Sequence, residues 1–175
     1  MSGMTKKKEA VPHYFELFKS ANAIILDVDG VLTDGSLLIT NGGDELRTMN
    51  IRDGYAMQLA VKKGLTVAVI TGGKSEGVLR RLNRLGVLYV LSGVDDKPKG
   101  LTQLAAAIKM DLSTAIYIGD DIPDLEVMQQ CGIPCCPNDA APEIQAISKY
   151  ISPVAGGRGC VRDVIEKVLK LQGRW

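Results

Sequence analysis

Four short apolar runs, each followed by a stretch long enough for a helix, constrain this chain more than any other feature. The runs cover residues 23–28, 65–70, 87–91 and 115–118 and are built mainly from Ile, Val, Leu and Ala. Runs of this length suit strands buried on both faces of a parallel sheet. Segments 53–63, 74–85, 97–110 and 122–131 follow them, with Gly64, Gly86 and Gly132 standing where helix C-terminal caps belong. The alternation predicts an α/β fold, an open doubly wound parallel sheet whose ligands bind beyond the carboxyl ends of the strands. With 175 residues, 46% of them hydrophobic, the chain can bury one core, and a single domain over residues 1–175 is expected.

Three stretches depart from the repeat. Residues 36–40 and 45–49 flank Asn41-Gly42 and predict a β-hairpin, residues 36–49, inserted between the first strand and its helix. An isolated hairpin is marginal in water, so it should pack on something, another subunit included. The last stretch, residues 155–175, joins a Gly-rich loop, Ala155-Gly156-Gly157-Arg158-Gly159, to a helical segment. The N-terminal extension, residues 1–20, carries Lys6, Lys7 and Lys8 and reads as a solvated tail, neither signal peptide nor anchor.

Charge and composition narrow the function. The formal net charge is +1, from 21 basic and 20 acidic residues, which favours a small metabolite over a nucleic acid. No apolar stretch approaches the ~18 residues of a membrane span, so a cytoplasmic protein is expected. Cys131, Cys135, Cys136 and Cys160 lack the spacing of a structural zinc site and read as reduced, partly buried thiols. His13 is the only histidine, so acid–base work falls to carboxylates or lysine.

The strand ends carry those groups. The first apolar run leads into Asp27-Val28-Asp29-Gly30, and carboxylates at i and i+2 of an extended chain project to one side. One can serve as nucleophile while the other donates and later accepts a proton. Thr71-Gly72-Gly73 closes the second run, Lys97 opens the helix after the third, and Gly119-Asp120-Asp121-Ile122-Pro123-Asp124 closes the fourth. Each is ordinary alone; together they place two carboxylates, a hydroxyl, an ammonium and an acidic cluster on one sheet edge. Hard oxygen ligands favour Mg2+ over zinc, and Thr71 with Lys97 suits the oxygens of a phosphoryl group. Asp29, expected among negative groups, should protonate more readily than a free aspartate and act as general acid.

In this order the motifs resemble those of the haloacid dehalogenase superfamily, and the second aspartate, Asp29, resembles its phosphatase branch. The resemblance implies Asp27 as nucleophile and Asp29 as acid/base. It also implies magnesium held by Asp27, the Asp29 carbonyl and Asp120, supported by Asp121 and Asp124. Thr71, Gly72 and Lys97 would bind the phosphoryl group. From Ile24 to Leu171 the chain further resembles the capless 3-deoxy-D-manno-octulosonate 8-phosphate phosphatases. The segments carrying this are 27–35, the hairpin, Asn50-Ile51-Arg52-Asp53-Gly54-Tyr55 and 155–162. That resemblance implies lipopolysaccharide precursor synthesis and a homotetramer built through the hairpins, with each site completed by a neighbouring subunit. Arg52 and Arg158 would bind the sugar-acid end of the substrate.

One departure is Gly73, where the family usually has arginine; relatives acting on a nine-carbon keto-sugar acid phosphate also lack it, which leaves that substrate as an alternative. Their counterpart of Arg52-Asp53-Gly54 differs, however. A mutase is disfavoured because no insert is long enough for a cap that excludes water. A non-catalytic tetramerisation module would have lost catalytic positions that are all present here. A phospho-receiver would carry its nucleophile after the third strand, where Lys97 stands.

Overall fold

The computed structural model describes residues 13–175; the Lys6–Lys8 run lies outside the described residues. Six parallel strands form the main sheet: β1 (Ala23–Leu26), β4 (Thr66–Thr71), β5 (Tyr89–Ser92), β6 (Ala115–Ile118), β7 (Ile133–Cys136) and β8 (Tyr150–Ile151). Their order is β5-β4-β1-β6-β7-β8. Successive strands run outward from β1 to one edge, then from β6 to the other. The order therefore reverses between β1 and β6, the crevice where ligands of doubly wound sheets bind.

Period-two alternation distributes the side chains between two cores. Ile24, Leu26, Val67, Val69, Ile116 and Ile118 face one layer. That layer is α1 (Tyr14–Ser20), α2 (Ile51–Lys62), α3 (Glu76–Arg84) and α7 (Cys160–Leu171). Ala23, Ile25, Ala68, Ile70, Ala115 and Tyr117 face the other, formed by α4 (Lys97–Ile108), α5 (Leu125–Gln129) and α6 (Pro142–Ile147). Side-chain caps start the helices next to the site: Asn50 accepts from Arg52 N, Ser75 from Val78 N, and Asp96 from Lys99 N. The Asp96 cap fixes Lys97 as the first residue of α4, at the mouth of the sheet.

Several expectations shift. Gly64 and Gly86 adopt positive φ after their helices, as C-terminal caps do. Gly132 does not; a side chain there would run into the Ser113 backbone, and its N–H donates to Leu112 O at 2.7 Å. The expected helix over 122–131 divides into a 3-10 turn, Ile122–Asp124, and α5. Residues 14–20 form α1, docked through the buried Phe18 against Tyr150. The hairpin is present but short, with β2 (Leu38–Ile39) pairing antiparallel with β3 (Glu45–Leu46). Its turn centres on Asn41-Gly42, Gly43 N donating to Thr40 O at 2.9 Å.

Candidate active site

Backbone pairing aligns the functional strand ends. Asp27 follows β1 directly, and its N–H donates to Ile118 O of β6 at 3.0 Å, so the two central strands end level. After it the chain curls: the N–H groups of Val31, Leu32 and Thr33 all reach Val28 O. The buried Thr33 hydroxyl accepts from Gly30 N and Gly35 N, closing the loop. Gly30 sits at φ 94°, and a side chain there would run into the Asp120 carboxylate. It is thus required both for the turn and for the approach of the β6 loop.

The centre of the site is a buried ion cluster. Lys97 Nζ donates to Asp27 Oδ1 at 2.9 Å and to Asp124 Oδ1 at 2.8 Å. Asp124 is further held by the Tyr117 hydroxyl at 2.9 Å, and its Oδ2 accepts from Asp120 N at 3.2 Å. Burial pushes Asp27 up to about 6, helped by the charge of Asp124 and opposed by Lys97. Burial and the charges of Asp27, Asp124 and Asp121 push Asp120 up to about 7. Burial pulls Lys97 down, but the Asp27 and Asp124 carboxylates more than offset it and hold its ammonium above its usual range. One ammonium among three carboxylates leaves an excess of buried negative charge.

That excess fits a cation. Carboxylate oxygens of Asp27, Asp120 and Asp124 lie within 4.8 Å of one another. Asp120 Oδ1 is buried without a hydrogen-bond partner, an arrangement that costs free energy unless a donor or metal meets it. The all-oxygen set suits magnesium. Asp124, expected only to support the shell, lies within this triad, whereas Asp121 is exposed at the rim of the same cleft.

Asp27, Asp29, Thr71, Gly72, Lys97, Asp120, Asp121 and Asp124 together line one cleft of ≈ 360 Å³. Thr71 ends β4, buried, its Oγ1 accepting from Gly73 N at 3.1 Å. Arg52 and Arg158 are not in this cleft; they line a second one with α7, and Arg158 pairs with Asp34 at 3.0 Å. Asp29 does not stand among negative groups alone: the cation of Arg47 forks it, Nε to Oδ1 at 2.7 Å and Nη2 to Oδ2 at 3.1 Å. Arg47 and Tyr117 were not singled out from the sequence. A tyrosine interrupting an otherwise aliphatic strand two residues before Gly119 was the available signal for the second.

The described helices include none long and apolar enough to cross a membrane. The family described as haloacid dehalogenase-like hydrolase matches residues 84–162. The 3-deoxy-D-manno-octulosonate 8-phosphate phosphatase of Salmonella typhimurium is 36% identical over 163 residues, 93% of this chain and 87% of that one. The solved structure of the same-named phosphatase from Yersinia pestis aligns with TM-score 0.89 and 34% identity, over 91% of this chain and 86% of that one. The same-named phosphatase from Moraxella catarrhalis, in complex with magnesium, phosphate and KDO, aligns with TM-score 0.87 and 34% identity over 91% of each chain.

Proposed function

The chain belongs to the 3-deoxy-D-manno-octulosonate 8-phosphate phosphatase family of haloacid dehalogenase-like hydrolases, and from that membership we propose that it hydrolyses this sugar-acid phosphate, with magnesium, to the free acid and phosphate. The observation that carries the reading is the buried Asp27–Lys97–Asp124 cluster beside the unpartnered Asp120 Oδ1, at the carboxyl ends of the central strands. The product would be the free keto-sugar acid used for lipopolysaccharide precursors.

In the proposed reaction Asp27 attacks phosphorus as the ester P–O bond breaks, forming an aspartyl-phosphate. Asp29 gives its proton to the leaving oxygen, then takes one from the water that attacks the intermediate and frees phosphate. Lys97 has three donors, two engaged by Asp27 and Asp124, which leaves one for a phosphoryl oxygen. Thr71 Oγ1 accepts from Gly73 N, so its own proton is available to the same group. Asp27, Asp120 and the Asp29 carbonyl would hold magnesium, with Asp121 and Asp124 supporting them. The ion would supply positive charge that offsets repulsion between the anionic nucleophile and the phosphate. Asp124, held by Lys97, Tyr117 and Asp120 N, orients the loop rather than reacting.

We also propose a homotetramer in which a neighbouring subunit completes each site. Two features support it: Leu37, Leu38, Ile39 and Leu46 of the hairpin are exposed, and Arg52 and Arg158 stand outside their own chain's catalytic cleft. Residues 1–175 are read as one capless unit, since all six main strands share one sheet. The four cysteines are free and buried, which suits the reducing cytoplasm.

The test is phosphate release from purified protein with magnesium, using the eight-carbon and nine-carbon sugar-acid phosphates. A higher kcat/KM for the eight-carbon compound is expected, together with loss of turnover in Asp27→Asn without loss of fold. Turnover in that variant at the wild-type rate would end the mechanism; preference for the nine-carbon compound would reassign the substrate.

A further inference from the structure

The hairpin is exposed along both short strands, yet the Arg47 side chain just after it is only 6% exposed. Burying an arginine costs side-chain freedom, besides desolvation of the guanidinium. Arg47 grips Asp29 through both oxygens, at 2.7 and 3.1 Å, and reaches Glu45 Oε2 at a longer 3.4 Å. Among the described residues no other group hydrogen-bonds the Asp29 side chain. Rotation of a carboxyl group about its last bond is otherwise broad and weakly hindered. A two-point guanidinium fork fixes the carboxyl plane as well as its position.

The room for this arrangement comes from Gly73. A Cβ there would lie 3.3 Å from both Arg47 Nη2 and Asp29 Oδ2, and 3.5 Å from Thr71 Oγ1. Any longer side chain pointing the same way would compete with Arg47 for the flank of Asp29.

We propose that Arg47 is the positioning residue of the general acid, holding the Asp29 carboxyl toward the leaving-group oxygen through the space that Gly73 leaves open. The inference rests on the phosphatase reading above. When the ester P–O bond breaks, its electron pair passes to the leaving oxygen and the Asp29 proton follows. The fork takes one lone pair of each Asp29 oxygen and leaves the other, so the proton sits on the side turned away from Arg47; a carboxyl free to rotate delivers it poorly. Arg47 itself touches neither phosphorus nor the leaving oxygen in this scheme.

The readout is the dependence of kcat on the leaving group. A p-nitrophenolate leaves readily without a proton, whereas a phenolate needs one more. Wild type, Arg47→Ala and Arg47→Lys are compared on p-nitrophenyl and phenyl phosphate with magnesium. Both variants are expected to raise the p-nitrophenyl-to-phenyl ratio of kcat by about tenfold or more, a fraction of the roughly 10²–10⁴ that a positioned acid supplies. Arg47→Lys keeps the charge that ties the hairpin down but lacks the fork, so it decides the matter if Arg47→Ala fails to fold. An unchanged ratio in Arg47→Lys, with kcat lowered equally for both substrates or not lowered, overturns the inference. A rise confined to KM would make Arg47 an anion ligand and overturn it too. Wild-type inactivity on the sugar-acid phosphate alongside normal aryl phosphate turnover would instead count against the substrate assignment alone.

Discussion

Tyr117 shows how single residues set this site. It lies fully buried in β6, and its hydroxyl reaches Asp124 across the base of the cleft. Burial first, then the charges of Asp124 and Asp27, raise its pKa far above the ordinary phenol value, so it stays a donor at every working pH. Tyr117→Phe removes one of the two side-chain donors to Asp124 Oδ1 and leaves the ring packing alone. The expected cost is about 1–3 kcal/mol of stability, read from denaturant unfolding. If Asp124 supports the magnesium site as proposed, magnesium affinity should fall by about 10–100-fold, read by calorimetric titration. Unchanged affinity would show that Lys97 and Asp120 N suffice to hold Asp124.

At the scale of elements, α2 and α7 are joined by a buried carboxylate. Asp53, in the first turn of α2, accepts from Arg162 N at the start of α7, while its Oδ2 has no partner. Burial pushes Asp53 up to about 6, against the pull of the Arg162 and Gly159 backbone N–H groups. A folded pKa above the unfolded value of 3.8 means that the folded chain holds the proton more tightly. The resulting stability is fully present below about pH 4 and is lost as pH rises through about 6. Asp53→Asn keeps an acceptor for Arg162 N but cannot titrate. The wild type should therefore lose about 2 kcal/mol more than Asp53→Asn between pH 4 and 7, measured by unfolding at each pH. Parallel curves would place the cost of burying Asp53 elsewhere. Two other bonds seat the Gly-rich loop that precedes α7: Gly157 N donates to Val31 O, and Asn50 donates to Gly157 O.

For the whole molecule, the issue is the apolar surface left outside. Leu38 is 67% and Ile39 57% exposed on a two-strand hairpin that would be marginal alone. If the hairpins meet in a tetramer, Leu38→Asp with Ile39→Asp should yield a smaller species by light scattering. Turnover of the sugar-acid phosphate should fall as well, because Arg52 and Arg158 would no longer reach a neighbour's cleft. A tetramer that survives both substitutions would move the interface away from the hairpin.

The strand-end groups were legible without coordinates, because a buried parallel strand has a readable pattern and its carboxyl end is where such sheets bind ligands. Asp27, Thr71, Lys97 and Asp120 follow from that rule, and they do share one cleft. The outer strands were not legible. Strand β7 contains Pro134 and two cysteines; its Pro134 carbonyl accepts from Lys149 N beside the short edge strand β8, so the missing N–H faces that side and spares the pairing with β6. Helix α1 was hidden by mixed composition and is held by tertiary contact, Gln172 donating to Phe18 O and Ala21 O. The grip of Arg47 on Asp29 spans 18 residues, that of Arg162 N on Asp53 109, and no local periodicity encodes either. The sequence by itself determined which chemical groups stand at the sheet edge, because strand period and turn chemistry are local. Only the tertiary structure decided how those groups are aimed and charged, because orientation and desolvation depend on neighbours brought in from far along the chain.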